Sequence, residues 1–226
     1  MTMVASSEPG PRLKTMPKHP TSWGDVAGWY DDLLGSPDSY QRTLILPNLL
    51  RLVAPKAGQR ILDLACGQGF FAHAFADAGA KVVAVDVSEE LVTIGRSRDR
   101  ANRIAWHVAP SHKLPFLVDG SVDATVMILS IQNIDDARAT FAECRRVLRS
   151  DGVLHLVINH PAFRAPKRTS WGWDEKTKTQ YRRIDAYLTE TKIKIAMHPG
   201  SAPGVSTLSF HRPQQFYVKT LARTGF

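Results

Sequence analysis

Two carboxylates stand on either side of a glycine-rich turn, each within or at the end of an apolar run. Asp63 lies in the run Arg60-Ile61-Leu62-Asp63-Leu64, before the turn Ala65-Cys66-Gly67-Gln68-Gly69, and Asp86 closes the run 81–86. Glycines at a strand-to-helix turn let a ligand approach the backbone, and the N–H groups of the following helix point at that ligand. A carboxylate beside this turn repels a pyrophosphate and attracts an ammonium group. An acid at the end of the next parallel strand can accept both hydroxyl protons of a ribose.

S-adenosylmethionine combines the groups that these two acids would bind, since it carries an amino-acid tail, a sulfonium and a ribose. We therefore expect its methionine tail at Asp63, Gly67 and Gly69, and its ribose at Asp86. Two alternatives stay open. The segment 67–72 also fits the looser dinucleotide pattern G-x-G-x-x-A of nicotinamide and flavin domains. The turn could also be a relic that binds no ligand.

The chain resembles the class I S-adenosylmethionine-dependent methyltransferases, and four motifs in the family's order carry this resemblance. The first is the segment 62–69, in which Ala65 replaces the first glycine of the family pattern acid-x-Gly-x-Gly-x-Gly. The second is Asp86, which matches the ribose-binding acid. The third is Leu114-Pro115-Phe116 with the segment 119–123, and the fourth is the segment 143–152. Each motif alone is weak, but the ordered set is specific.

The resemblance implies further site residues and a class of acceptor. It implies that Ala65 lies in the cofactor turn, that Ser111 lies near the adenine and that Leu129 borders the methionine part. Pro110 or its neighbours stand where many relatives have an acid for the adenine amino group. Relatives of this group methylate small metabolites, quinone precursors and lipids, so a small-molecule acceptor is the first expectation. No catalytic residue is assigned; His160 is a candidate base or, alternatively, a turn residue.

Apolar runs alternate with helical patterns after residue 60, which favours an α/β fold with a Rossmann-like, doubly wound, mostly parallel sheet and helices on both faces. The predicted strands are 60–64, 81–85, 104–108, 124–129 and 153–158. The predicted helices between them are 69–78, one that begins at Ser88 and one that begins at Asp135 or Asp136. Two amphipathic helices over 22–53 form an N-terminal helical cap. A hairpin of 191–197 with 205–210 and a helix over 213–224 follow the sheet.

These elements predict a single methyltransferase domain over residues 21–226, after a polar, proline-containing leader (1–20) that we expect to be disordered. Its predicted parts are N-terminal helices (21–55), a cofactor-binding core (56–160) and a substrate-side region (161–226). The late hairpin is either a substrate-side insertion, with the closing strands of the sheet lacking, or the completion of the sheet; the first is favoured. An unpaired edge of the fifth strand would favour self-association.

The charge of the chain is concentrated in its last third. Residues 160–226 hold 12 basic and 4 acidic residues, while residues 1–159 hold 17 of each, so the whole net charge of +8 lies after the cofactor motifs. Aromatic residues are interleaved with these cations. This composition fits a solvated basic face, a small anionic substrate or RNA. RNA is therefore the second candidate acceptor, with Arg164, Lys167, Arg168, Arg182 and Arg183 as the phosphate contacts.

Hydropathy and cysteine content exclude other classes. No run of about 18 apolar residues occurs, so we expect no membrane span. The chain has 2 cysteines, Cys66 and Cys144, with no spacing typical of a zinc site or a disulfide framework. We expect a cytoplasmic enzyme that contains no metal. A non-catalytic S-adenosylmethionine-binding scaffold remains an alternative.

Overall fold

A computed structural model describes residues 23–197 and 205–226 of the chain; the predicted leader, residues 1–20, lies outside them. Its centre is a five-stranded parallel sheet. The strands are β1 (Arg60–Leu64), β2 (Lys81–Asp86), β3 (Ile104–Val108), β4 (Val122–Ile128) and β5 (Leu148–Val157). They follow the order β3-β2-β1-β4-β5, so the order reverses between β1 and β4. Ligands of doubly wound sheets bind at this reversal, beyond the carboxyl ends of the strands.

Six α-helices lie around this sheet in the described ranges. They are α1 (Ala27–Gly35), α2 (Leu46–Val53), α3 (Phe70–Asp77), α4 (Glu89–Arg98), α5 (Ala137–Val147) and α6 (Gln214–Arg223). The helix predicted at Ser88 begins with that residue as its N-cap, since the Ser88 hydroxyl accepts from the Leu91 N–H. Asp136 caps α5 in the same way, accepting from the Ala139 N–H. Pro47 lies in the first turn of α2, after a π-helical segment (Gln41–Ile45), where the missing N–H of proline breaks no helical hydrogen bond.

Successive side chains along each strand point to opposite faces of the sheet. They form one apolar layer on each face. One layer joins Leu62, Leu64 and Val85 to α5 and α6, and the other joins Ile61, Val82 and Ala84 to α2, α3 and α4. Strands buried on both faces are the mark of a parallel sheet that is covered on both sides. The predicted Rossmann-like α/β class is therefore confirmed.

The start of β5 differs from the prediction. Val122 pairs with Leu148 while Ala124 pairs with Val153, so the chain between these partners loops out of the ladder. The predicted turn at 150–152 is this irregularity, and the strand extends further towards its N-terminal side than the predicted 153–158. Within the five-stranded sheet β5 pairs with β4 alone. The described residues therefore leave its outer edge unpaired in that sheet.

Two antiparallel hairpins follow β5, and only one was predicted. The predicted hairpin consists of β8 (Thr191–Ala196) and β9 (Ser206–His211), and it forms a separate two-stranded sheet. It therefore does not complete the parallel sheet. The favoured interpretation of the sequence also expected a hairpin outside that sheet. The unpredicted hairpin consists of β6 (Thr169–Asp174) and β7 (Thr179–Ile184). Its exposed large side chains include Trp171, Trp173 and Tyr181.

No helix in the described ranges combines the length and the apolar character that a membrane crossing requires.

Candidate functional site

A cleft lies at the carboxyl ends of β1, β2 and β4. It brings together five of the predicted site residues, which are Asp63, Ala65, Gly67, Asp86 and Leu129. The other lining residues are Trp23, Leu34, Cys66, Phe70, Phe71, Val87, Leu91, Ile128, Ser130, Asn133 and Ile134. Apolar side chains thus surround two acids, at the place that the reversal of strand order marks out for a ligand.

Asp63 is a buried acid without a full set of partners. The residue is only 2% exposed, and its Oδ2 atom has no hydrogen-bond partner among the described residues. Burial and, less strongly, the nearby Asp86 raise the pKa of the Asp63 carboxyl to about 7, against a weaker opposing effect of the Ala72 N–H. A buried carboxylate oxygen without a donor is costly. A cationic ligand group in the cleft would supply the missing donor and charge.

Asp86 lies opposite Asp63 across the turn and also shapes the turn. Its Oδ2 accepts from the Gly67 N–H at 2.8 Å, and its Oδ1 accepts from the Ser88 N–H at 2.9 Å. Burial raises the pKa of this carboxyl, and the N–H groups of Ser88, Gly67 and Val87 act in the opposite direction. Each carboxylate oxygen has a second lone pair, so the group can still accept from two hydroxyls.

The turn between β1 and α3 needs small residues for two reasons. Ala65 and Gly67 both have φ of 58°, a left-handed backbone that few side chains tolerate. Gly69 has φ of 76°, and a Cβ placed there would lie 2.2 Å from the ring of Trp106. Gly69 does not line the cleft; it lies behind the turn, against Trp106, and fixes how α3 begins.

The loop after β4 forms the opposite wall of the cleft. Leu129 has φ of 52°, and its N–H donates to the Val157 carbonyl at 2.8 Å. The Ser130 Oγ atom is buried and has no hydrogen-bond partner among the described residues. It is the second polar atom of the cleft wall that lacks a partner in the described part of the chain.

Ser111 is not brought into the cleft. Its hydroxyl lies 2.9 Å from the Thr140 hydroxyl, and Thr140 is fully buried on α5. This hydrogen bond directs the Ser111 hydroxyl towards α5. Val87, which follows Asp86, lines the cleft.

The N-terminal helical cap contributes to the cleft through Trp23 and Leu34, which the sequence prediction did not name. A bidentate ion pair from Arg98 on α4 to Asp31 on α1 fastens this cap to the core. Leu34 also lines a neighbouring open cavity of about 690 Å³, which Phe70 shares. The signal in the sequence was the helical spacing of apolar residues over 23–34, which indicates burial without showing against what.

A second, smaller cavity lies beyond the carboxyl ends of β4 and β5. Its polar lining consists of Gln132, Asn159, Arg164, Ser209, His211, Arg212 and Tyr217. The Oε1 atom of Gln132 is buried without a partner among the described residues. The cavity measures about 30 Å³, which is enough room for a water-sized polar group.

The two histidines near this cavity differ in the atoms they have available. Nε2 of His211 lies 2.8 Å from the Tyr187 carbonyl oxygen. A carbonyl only accepts, so Nε2 carries the proton and Nδ1 of the neutral ring keeps a lone pair. His160, the candidate base of the sequence analysis, is exposed, and its Nδ1 accepts from the Ala162 N–H at 3.2 Å. His160 therefore stabilises the turn after β5.

The chemistry of the cleft fits S-adenosylmethionine. An unpaired buried carboxylate oxygen suits an ammonium group, and a second acid with free lone pairs suits ribose hydroxyls. A dinucleotide would bring its pyrophosphate against Asp63, which is the wrong charge. The fold and the cleft thus define a protein of the S-adenosylmethionine-binding α/β class.

Comparisons with known proteins agree with this class. Residues 62–156 match the family model of the methyltransferase domain. A crystal structure of an S-adenosylmethionine-dependent methyltransferase from Mesorhizobium loti is 27% identical, with a TM-score of 0.67 and coverage of 84% of this chain and 82% of that one. The chain belongs to the class I S-adenosylmethionine-dependent methyltransferases, and S-adenosylmethionine is the cofactor.

Curated relatives give a narrower comparison. Demethylmenaquinone methyltransferase of Clavibacter sepedonicus is 36% identical over 137 residues, which are 57% of this chain and 56% of that protein. Ubiquinone/menaquinone biosynthesis C-methyltransferase UbiE of Citrifermentans bemidjiense is 32% identical over 167 residues, 69% of this chain and 66% of that protein. The chain thus spans between about half and two thirds of the length of the curated relatives it matches.

Proposed function

We propose that the protein transfers a methyl group from S-adenosylmethionine to a small-molecule acceptor, and that the acceptor is a hydroxylated aromatic ring of the demethylated quinone type. The observation that supports binding of the methyl donor is the buried Asp63 carboxylate beside the Gly67 turn, whose Oδ2 lacks a partner in the described part of the chain. The names of the relatives support the proposed class of methyl acceptor, since they are quinone methyltransferases.

Each cleft residue has a role in this proposal. Asp63 binds the ammonium group of the cofactor, and Asp86 accepts from the ribose hydroxyls while it holds the Gly67 turn. Ala65 and Gly67 let the cofactor approach the backbone, and Gly69 supports them from behind. Leu129 and Ser130 border the methionine part, and Trp23 and Leu34 exclude water from the apolar side.

The bound cofactor supplies an already activated methyl group on its sulfonium, so positioning accounts for much of the rate. The acceptor must still lose a proton when a hydroxylated ring is methylated on carbon or oxygen. His211 lines the small cavity beyond β4 and β5 and keeps its Nδ1 lone pair. We assign it as the group that accepts the proton of the acceptor's hydroxyl.

RNA is the weaker candidate because the cations predicted to contact phosphates are partly engaged. Arg183 is ion-paired with Asp185 at 2.7 Å, and Arg182 donates to the Phe163 carbonyl and to the Thr169 hydroxyl. The fold also buries Arg212, another cation of the basic third, so fewer charges remain for a phosphate backbone.

The test is a transfer assay with S-adenosylmethionine labelled on its methyl group. We expect label in a demethylated naphthoquinol or benzoquinol, none in total RNA, and none with the Asp63→Asn variant. Label in RNA alone would contradict the proposed acceptor. Calorimetry of cofactor binding is run in parallel to distinguish an enzyme from a non-catalytic scaffold. Cofactor binding without transfer to any acceptor would identify a scaffold.

A further inference from the structure

The β6–β7 hairpin is a surface whose chemistry the methyltransferase site does not use. Within residues 23–197 and 205–226 its two strands pair only with each other, and Trp171 is 62% exposed, Trp173 53% and Tyr181 50%. Phe163, just before the hairpin, is 58% exposed. Four large aromatic side chains in one 19-residue stretch are thus left largely outside the core.

The pairing register sorts these side chains onto faces. Trp171 pairs with Arg182 and Trp173 with Gln180, so both indoles and the Arg182 side chain project from one face of the ribbon. The Arg182 guanidinium lies over the Trp171 ring, 5.0 Å from its centroid. Tyr181 lies on the opposite face across Gly172, where a Cβ would come within 2.4 Å of the Tyr181 ring. The rings therefore have fixed positions at the surface.

Basic residues flank the aromatic rings in the sequence. Arg164, Lys167 and Arg168 are exposed on the segment that leads into β6, and Lys176 and Lys178 lie at the hairpin turn, where Lys178 is ion-paired with Glu175 at 2.9 Å. The stretch 163–185 carries 7 basic and 3 acidic residues. Exposed indoles beside lysines and arginines are the composition of protein segments that rest at the interface of an anionic bilayer.

We propose that the β6–β7 hairpin, with residues 163–168, is a docking surface for an anionic phospholipid bilayer. The indoles of Trp171 and Trp173 enter the headgroup region, and the flanking cations contact lipid phosphates. Charge complementarity favours this occupant, because the basic residues lie on the same protrusion as the rings. A stacking platform for RNA bases fits less well, because Arg182 covers one face of the Trp171 indole and is itself held by the Phe163 carbonyl.

The proposal is independent of the methyl acceptor, so its test measures binding and not turnover. The full chain is sedimented with vesicles of phosphatidylcholine alone and with vesicles containing 30% phosphatidylglycerol, at low and high salt. We expect binding to the anionic vesicles only, and weaker binding as salt rises.

Two hairpin variants separate the contributions of rings and charges. Trp171→Ser with Trp173→Ser removes the indoles, and Lys167→Glu with Arg168→Glu reverses two charges. Each cation near an anionic bilayer adds roughly fivefold to the affinity, so reversing two should weaken binding at least about 25-fold. Matched controls lie in the electrically neutral part of the chain: Lys56→Glu with Arg100→Glu for charge, and the 74% exposed Val118→Ser for apolar surface. Both controls should bind like the wild type.

Calorimetry with S-adenosylmethionine shows that each variant keeps its fold. Three outcomes would overturn the proposal. One is equal partitioning of the wild type and both hairpin variants into anionic vesicles. Another is RNA binding with a steep salt dependence and no vesicle binding. The third is a dimer in light scattering that the tryptophan variant abolishes, again without vesicle binding, which would assign the hairpin to self-association.

Discussion

Arg212 donates a hydrogen bond to the backbone carbonyl of Ile134 at 2.8 Å, and this contact joins the C-terminal region to the wall of the cofactor cleft. The same guanidinium donates to the carbonyls of Ile131 and Asp135. Arg212 is 5% exposed and lies between the rings of Phe210 and Phe216, about 5 Å from each centroid. Ile134 lines the cleft, so a residue after the parallel sheet holds a loop that forms part of the cleft wall.

Replacing Arg212 should therefore affect both stability and cofactor binding. Arg212→Met leaves three carbonyls without their donor, which we expect to cost about 2–4 kcal/mol of unfolding free energy. Chemical denaturation checks this value, and calorimetry should show weaker binding of S-adenosylmethionine. Arg223→Met, an exposed arginine on α6, is the matched control and should change neither quantity. If the Arg212→Met variant is destabilised but keeps its cofactor affinity, the loop holds its position without the Arg212 hydrogen bonds.

The Asp63 carboxylate should lower the free energy of unfolding of the ligand-free protein, although it strengthens cofactor binding. Its pKa of about 7 in the folded chain lies above the value of 3.8 for an unperturbed carboxyl. Between these values the folded state holds a proton that the unfolded state has lost, so stability falls as pH rises from about 4 to 7. Asp63→Asn should therefore stabilise the ligand-free protein at pH 8, by a few kcal/mol at most, and hardly at about pH 3, where the carboxyl is largely protonated in both states.

The same variant should lose most of its affinity for the cofactor. In the wild type, binding of the ammonium group needs the carboxylate form, so affinity should rise from pH 6 to pH 8 with release of a proton. Calorimetry in buffers of different ionisation enthalpy measures this proton. Asp151→Asn, an exposed acid at the start of β5, should show neither effect. A pH-independent wild-type affinity would contradict the role of Asp63.

The sequence predicted the parallel sheet because its strands are continuous apolar runs, buried on both faces, with helix caps such as Ser88 between them. It also predicted the two acids of the cleft, because the strand ends and the glycine turn fix where they lie. It did not predict the β6–β7 hairpin, whose side chains face solvent on both sides and so lack an alternation of apolar and polar residues. The run Trp171-Gly172-Trp173 before an Asp174 turn was the available signal.

The position of Ser111 shows why the expected adenine contact after β3 was harder to predict. Motif order places it after β3, near the expected adenine, but the direction of a loop side chain depends on its tertiary partner. Thr140 on α5 supplies that partner, 29 residues away in the sequence. Arg212 was missed for the same reason, since its role depends on carbonyls nearly 80 residues earlier.

Substitution of Gly95 should be as damaging as substitution of a glycine in the cofactor turn. A Cβ there would lie 2.4 Å from the Trp106 ring and 2.8 Å from the Gln68 carbonyl oxygen, which is backbone of the turn itself. Gly95→Ala should therefore cost about 1–3 kcal/mol and displace the turn, with weaker cofactor binding. Gly28→Ala on α1 is the control, since nothing lies within 4 Å of its Cβ position, and it should be neutral or stabilising by up to about 1 kcal/mol. Melting curves and calorimetry of the two variants provide the comparison, and equal behaviour would argue against the packing of α4 on the turn.

His211 should control the rate of methyl transfer without controlling cofactor binding. Its Nε2–H donates to the Tyr187 carbonyl, so a glutamine at this position, whose amide nitrogen reaches the place of Nε2, can keep that hydrogen bond but cannot accept the proton. His211→Gln should lower kcat by about 10²–10⁴-fold and leave the affinity for S-adenosylmethionine unchanged. Added imidazole should restore part of the rate. His160→Asn is the control: its ring accepts from the Ala162 N–H in an exposed turn, so its kcat should match the wild type. A His211→Gln enzyme with a normal kcat would show that the acceptor loses its proton elsewhere.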